Sequence, residues 1–245
     1  MLLLAFLLAL QSTQTVALKR FEVVRVEPAA MERLPASLRS IFADPTPGAE
    51  PVASQEEATS RIGLTPRLPQ STNKPDFGIM DSINGEASIN VADFNAALEK
   101  SNVTGVSIPK EWDGIVIKMQ QAPGILADYG NYLLTQAPPL TLTVPQGFAL
   151  DRFMEVVLRI MGLNAQQASA LREKFAANPA AFFPIGIRFD MDIHDVGLSS
   201  GSGVLLQNGD KVGEMAFAWS TADRSYFIAG QLTEAQVVEI ANSIK

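Results

Sequence analysis

The sequence predicts an α+β fold: a curved, mostly antiparallel sheet with a helical hairpin and a C-terminal helix packed on it. Three stretches lead to it. Between Val103 and Val144, short apolar runs recur about every ten residues between Gly and Pro, the rhythm of an antiparallel meander. Two helical periodicities follow back to back, Leu150 to Met161 and the stretch after Asn164. The last stretch, Gly213 to Lys245, reads as strand, turn, strand and capped helix.

Taken in order, residues 1–18 open the chain as a signal or membrane-anchor segment. Leu2 to Leu10 are apolar, long enough for a signal-peptide core and too short to span a bilayer. The first cations, Lys19 and Arg20, come after this run. Cleavage near Val16-Ala17, the far half of a transmembrane helix over Leu2 to Leu18, and a buried core helix are the readings it admits. Residues 19–52 read as a strand, Phe21 to Val26, and a Pro-rich linker, Pro28 to Pro51, with a short helix near Leu34 to Phe42.

Residues 53–245 read as one domain. Ser54-Gln55-Glu56-Glu57 fits a capping box and starts a helix ending near Gly63. Phe77 to Ile83 and Glu86 to Asn90 read as strands around Asn84-Gly85, a type I′ hairpin signal. Val91 to Lys100 has helical spacing. Strands are predicted at Val103 to Ile108, Ile115 to Met119, Ile125 to Ala127, Tyr132 to Thr135 and Leu140 to Val144. The helical hairpin places Leu150, Phe153, Met154, Val157, Leu158 and Met161 on one stripe, stops at Gly162 and restarts with an Asn164 to Gln167 cap. Strands resume at Phe182 to Phe189, Ile193 to Leu198 and Gly203 to Leu206. Met215, Phe217 and Trp219 share one face of the last hairpin, and Tyr226 and Ile228 share a face of its return strand, so these side chains are expected in the core. Thr233 to Gln236 is a second capping box, opening a helix through Val237, Ala241 and Ile244.

Composition narrows the function classes. The net charge is −7 and no basic cluster occurs, which speaks against nucleic-acid binding. There is no cysteine and one histidine, His194. Thiolate catalysis, Cys-based zinc sites and any mechanism using two histidines of this chain are therefore excluded. Asp190, Asp192 and His194 alternate on one predicted strand face and are the candidate metal ligands, with Arg188 on that same face as an offsetting charge. A metal-dependent hydrolase would use these three. Glu111, Asp113 and Asp128 lie near aromatics, and a glycosidase would use a pair of such carboxylates. Leu198 to Gly203 is glycine-rich, but no Lys-Ser/Thr and no helix follow it, so it reads as a turn. Asn102-Val103-Thr104 matches a glycosylation acceptor. No cofactor motif is present.

Several pieces in order support a comparison: Ser54-x-Glu56-Glu57-Ala58 before LTPRLP, Val144-Pro145-Gln146-Gly147, Gly162-Leu163-x-x-x-Gln167-Ala168, Phe183-Pro184-Ile185, and a close of Trp219, Tyr226, Gly230, Leu232, Val237 to Ala241 and Ser243. Together they resemble the extracytoplasmic C-terminal domain, of no assigned activity, found in bacterial membrane-anchored proteins that include anti-sigma factors. The resemblance implies a membrane tether and no catalytic residues. The expected function is a non-enzymatic extracytoplasmic sensory or regulatory domain, binding a ligand or a signalling protein in an apolar groove between sheet and helices. A periplasmic carrier of lipid or lipoprotein is the alternative. Expected partners are the membrane, through the N-terminal segment, and a signalling protein.

Overall fold

Period-two alternation decides the architecture. The computed structural model describes residues 13–18, 22–25, 28–42, 48–70, 73–177, 184–187, 191–199, 201–208 and 214–244. In chain order the elements are β1 Thr13–Ala17, β2 Glu22–Arg25, α1 Pro28–Met31, α2 Ala36–Phe42, β3 Ala49–Val52, α3 Gln55–Ile62, β4 Asp76–Met80, β5 Ile83–Ser88, α4 Val91–Lys100, β6 Val116–Gln121, β7 Gly124–Asp128, β8 Tyr132–Ala137, β9 Thr141–Pro145, α5 Leu150–Ile160, α6 Ala165–Ala177, β10 Pro184–Ile187, β11 Met191–Leu198, β12 Gly201–Asn208, β13 Glu214–Ser220, β14 Ser225–Gln231 and α7 Glu234–Ser243.

Three long strands hold the molecule together. β4 leads into β5, β6 into β7 and β8 into β9, with breaks only at 81–82, 122–123 and 138–140. On one side of the breaks the order is β1-β9-β6-β5; on the other it is β11-β12-β13-β14-β8-β7-β4-β3. The same three stretches thus cross from a four-stranded sheet into an eight-stranded one, and every ladder in both is antiparallel. β2 and β10 form a separate parallel pair. This is the α+β class the sequence predicts, with the sheet bent and left open.

Odd–even parity carries through each break. The face that bears Ile125 and Ala127 in β7 bears Ile117 and Met119 in β6, and the face of Leu134 in β8 is that of Leu142 and Val144 in β9. Helices cover this apolar face at both ends. The other face is polar on the small sheet, where Lys118 pairs with Glu86 at 3.6 Å and Thr15 meets Thr143 at 3.0 Å.

Over the small sheet the core is built on α4, α5 and α6. Leu150, Phe153, Met154, Val157, Leu158 and Met161, the predicted stripe, are all buried. Phe153 sits 5.5 Å from Phe94 and 5.7 Å from Phe148, and Phe148 lies 4.9 Å from Trp112. α5 and α6 form the predicted hairpin, pinned by Arg172, which donates to Glu155 at 2.8 Å. Gly162 takes a φ of 98° and closes α5 as a Schellman turn: its N–H reaches the Arg159 carbonyl and that of Leu163 reaches Leu158. Asn164 and Gln167 cap α6 reciprocally. Over the large sheet, α7 and β11 to β14 bury Phe217, Trp219, Tyr226, Ile228, Val237 and Ala241, as expected from the sequence. Phe217 stacks on Trp219 at 5.3 Å and Trp219 on Tyr226 at 4.8 Å.

Four local expectations change. Thr13–Ala17 form an edge strand on β9, because their Thr/Gln/Val alternation suits a half-exposed ladder. The described helical part of the Pro-rich stretch is packed rather than loose: Ala30, Leu34 and Leu38 recur every fourth residue and bury against the small-sheet core. Asn84 and Gly85 lie inside β5, paired with Gln120 and Met119, and no hairpin forms there, since β4 and β5 belong to different sheets. Val103 to Ile108 make no strand. The Val103 N–H completes the α4 terminus on the Leu98 carbonyl, and Ile108 enters the core from a loop. The apolar run Leu2 to Leu10 lies outside the described residues.

Candidate binding groove

The residues singled out for chemistry lie on β11, beside the start of α4 and in the β7–β8 turn. Asp190 lies outside the described residues. Asp192 and His194 share a face of β11, opposite Gln207 and Leu205, and both are exposed. His194 Nε2 stands 3.2 Å from Glu234 Oε2, so its partner is the first turn of α7. Ser199, in the turn after β11, donates from its N–H and its hydroxyl to Asn242 Oδ1, both at 2.8 Å. β11 is thereby tied to both ends of α7. Among the described residues no three His, Asp or Glu side chains are placed to hold a metal ion. Asp113 accepts from the Val91 N–H at 3.0 Å, at the start of α4, while Asp128 accepts from Gly130 at 2.7 Å in the β7–β8 turn. Each carboxylate has a local structural partner. The glycine-rich stretch is the β11–β12 turn, as expected.

The polar feature that sequence reasoning missed is a clamp on the large sheet. β8 alternation turns Gln136 to the core face with Tyr132 and Leu134. It is 1% exposed. Its amide accepts from the Arg67 N–H at 2.9 Å and donates to the Arg67 carbonyl at 2.8 Å, as a neighbouring strand would. Arg224, also buried, donates to Thr65 O at 2.7 Å and to Gln136 Oε1 at 3.1 Å. Arg67 grips the Asp223 carboxylate with two bonds, 3.1 and 2.8 Å, and reaches Tyr226 Oη at 3.3 Å. The bond from Arg67 holds the Asp223 carboxyl below its usual range. Burial, with Arg67 beside it, pushes Arg224 down. The cluster thereby holds the 64–69 segment across the sheet. A polar residue at an inward-facing strand position was the available signal.

Between the large sheet and α7 lie the stacked Phe217, Trp219 and Tyr226. A recess lies on the opposite face. There a groove of about 730 Å³ opens, floored by Leu133, Leu206, Ala216 and Ala229. Register places these four in one row across β8, β14, β13 and β12. Asp128, Asn131, Glu214 and Gln231 form the rim. Leu133 remains 37% exposed, and Phe227, on the same face, 38%. Gly230 sets the depth at one end. A Cβ there would strike Asn131 O and lie 2.5 Å from the Tyr132 Cα, so only glycine lets β14 approach the β7–β8 turn this closely. Beneath that turn Tyr129 stacks on Tyr132 at 4.6 Å, and burial pushes the Tyr129 phenol up to about 12. Both rings are neutral at physiological pH. No described helix is long and apolar enough to cross a membrane.

No family model, curated protein or solved structure matches the chain.

Proposed function

We propose that the chain is a non-enzymatic binding module, the extracytoplasmic sensory region of a membrane-tethered regulatory protein, with its ligand seated on the open face of the large sheet. One observation supports it most: an apolar-floored, polar-rimmed groove of ligand size on the face away from the helices. A row of small and branched side chains makes a smooth floor, and the helices on the other side keep that floor rigid. Binding there would bias the ends of β8 and β14, which continue toward β9 and α7. A carrier that encloses an acyl chain between sheet and α7 draws no support from the aromatic stack buried there.

Nile red, a neutral apolar dye, tests the groove. Saturable fluorescence enhancement at one site per chain is expected, and Ala229→Trp should abolish it while leaving the unfolding midpoint unchanged. Binding that survives in Ala229→Trp, or no binding at all, overturns the groove assignment. Placement is tested by fusing, at the C-terminus of the native gene product, a reporter enzyme active only outside the cytoplasm. An inactive but intact fusion would overturn the extracytoplasmic part.

A further inference from the structure

We infer that the groove selects amphiphiles with a cationic end, an inference that rests on the binding-module reading and specifies the ligand class. β4 and β7 are antiparallel, and Asp76 stands directly opposite Asp128. Ala127 and Phe77, one position on, pack into the α7 side, so both carboxylates project to the groove side. Directly opposed side chains on one face sit about 5 Å apart at Cβ, and like charges in that position destabilise the ladder. Neither carboxylate has an ion-pair partner among the described residues. Asp128 spends one oxygen on the Gly130 N–H and is also part of the groove rim. The described lining contains no Lys or Arg.

The result is an apolar floor that runs up to an unneutralised pair of carboxylates at its end, where β7 turns into β8. An apolar body can lie along Leu133, Ala229 and Ala216 while an ammonium or guanidinium group reaches the pair at Asp76 and Asp128. The cation relieves the cross-strand repulsion, and the floor removes the apolar body from water. An anionic amphiphile of the same size meets repulsion at the same end, so the groove discriminates by charge as well as by shape.

Displacement of Nile red from the groove tests this, using octyltrimethylammonium, octyl glucoside and octyl sulfate below their micelle concentrations. Octyltrimethylammonium should compete about fivefold better than octyl glucoside, since exposed charge pairs of this kind contribute under about 1 kcal/mol each. Octyl sulfate should compete worst, and the spread should narrow at high salt. The double variant Asp76→Asn, Asp128→Asn keeps an acceptor for the Gly130 N–H. It should equalise the cationic and neutral amphiphiles when each is read against the variant's own Nile red affinity. Equal competition in the native protein, or a cation preference that survives the double variant, overturns the charge inference and leaves the groove standing. Failure of Nile red to bind overturns both.

Discussion

Gln136 shows how one polar side chain can act as a structural element. It is buried beside Leu134 and Tyr226, yet its amide meets both the donor and the acceptor of the Arg67 backbone. Gln136→Leu would keep the volume and remove all of these bonds. The Arg67 N–H and carbonyl and one Arg224 donor would be left without partners. A loss of about 2–3 kcal/mol in denaturant unfolding is expected, the cost of orphaned buried polar groups. A loss under about 0.5 kcal/mol would mean that water replaces the clamp. Much at this scale was legible in advance: Trp219, Phe217 and Tyr226 followed from alternation and size. Arg67 was not, because its role depends on Asp223 and Gln136, far away in sequence, and no local pattern encodes such a partner.

Among the elements, the helix termini were the most readable features, since each is written within a few residues. Thr233 accepts from the Gln236 N–H at 3.3 Å while Gln236 accepts from the Thr233 N–H at 2.8 Å, as the motif predicts. Ser54 behaves slightly differently: it accepts from the Glu57 N–H, but Glu57 returns its bond one residue earlier, to Ala53. Thr233→Ala should destabilise by about 1 kcal/mol. Gly162→Ala should cost about 1–2 kcal/mol, because the left-handed turn after α5 strains any Cβ. Thermal midpoints of the two variants check both, and a Gly162→Ala protein as stable as the parent would show that the turn relaxes without penalty. Strand partners were the least readable elements. Asn84-Gly85 carries a strong hairpin signal, yet a two-residue break after β4 sends β5 into the other sheet, and nothing local distinguishes that from a turn. Where the apolar groove lies was equally hidden. Alternation assigns Phe227 to the far face, but only the assembled order of β12, β13, β14 and β8 lines up Leu206, Ala216, Ala229 and Leu133.

At the scale of the whole molecule, acid sensitivity follows from two paired carboxylates at the large sheet. Arg67 holds Asp223 below its usual range, and Arg61 does the same for Glu50. Both folded-state values are depressed, so the stabilisation they provide is complete above the ordinary carboxylate range and is lost as pH falls below about 4. Unfolding midpoints should therefore be level near neutrality and drop on the acid side. Asp223→Asn should lower the neutral plateau and flatten that drop. An identical acid limb in the variant would show that Asp223 contributes nothing to it. The long strands also set an order in time. β1 has no partner until β9 exists, since Thr13 pairs with Pro145, and β2 waits for β10, since Glu22 pairs with Pro184. The beginning of the described chain is thus made first and paired late. Synthesis has to run from β1 through β9 before the residues of β1 have a ladder to join, so this edge of the small sheet is completed late.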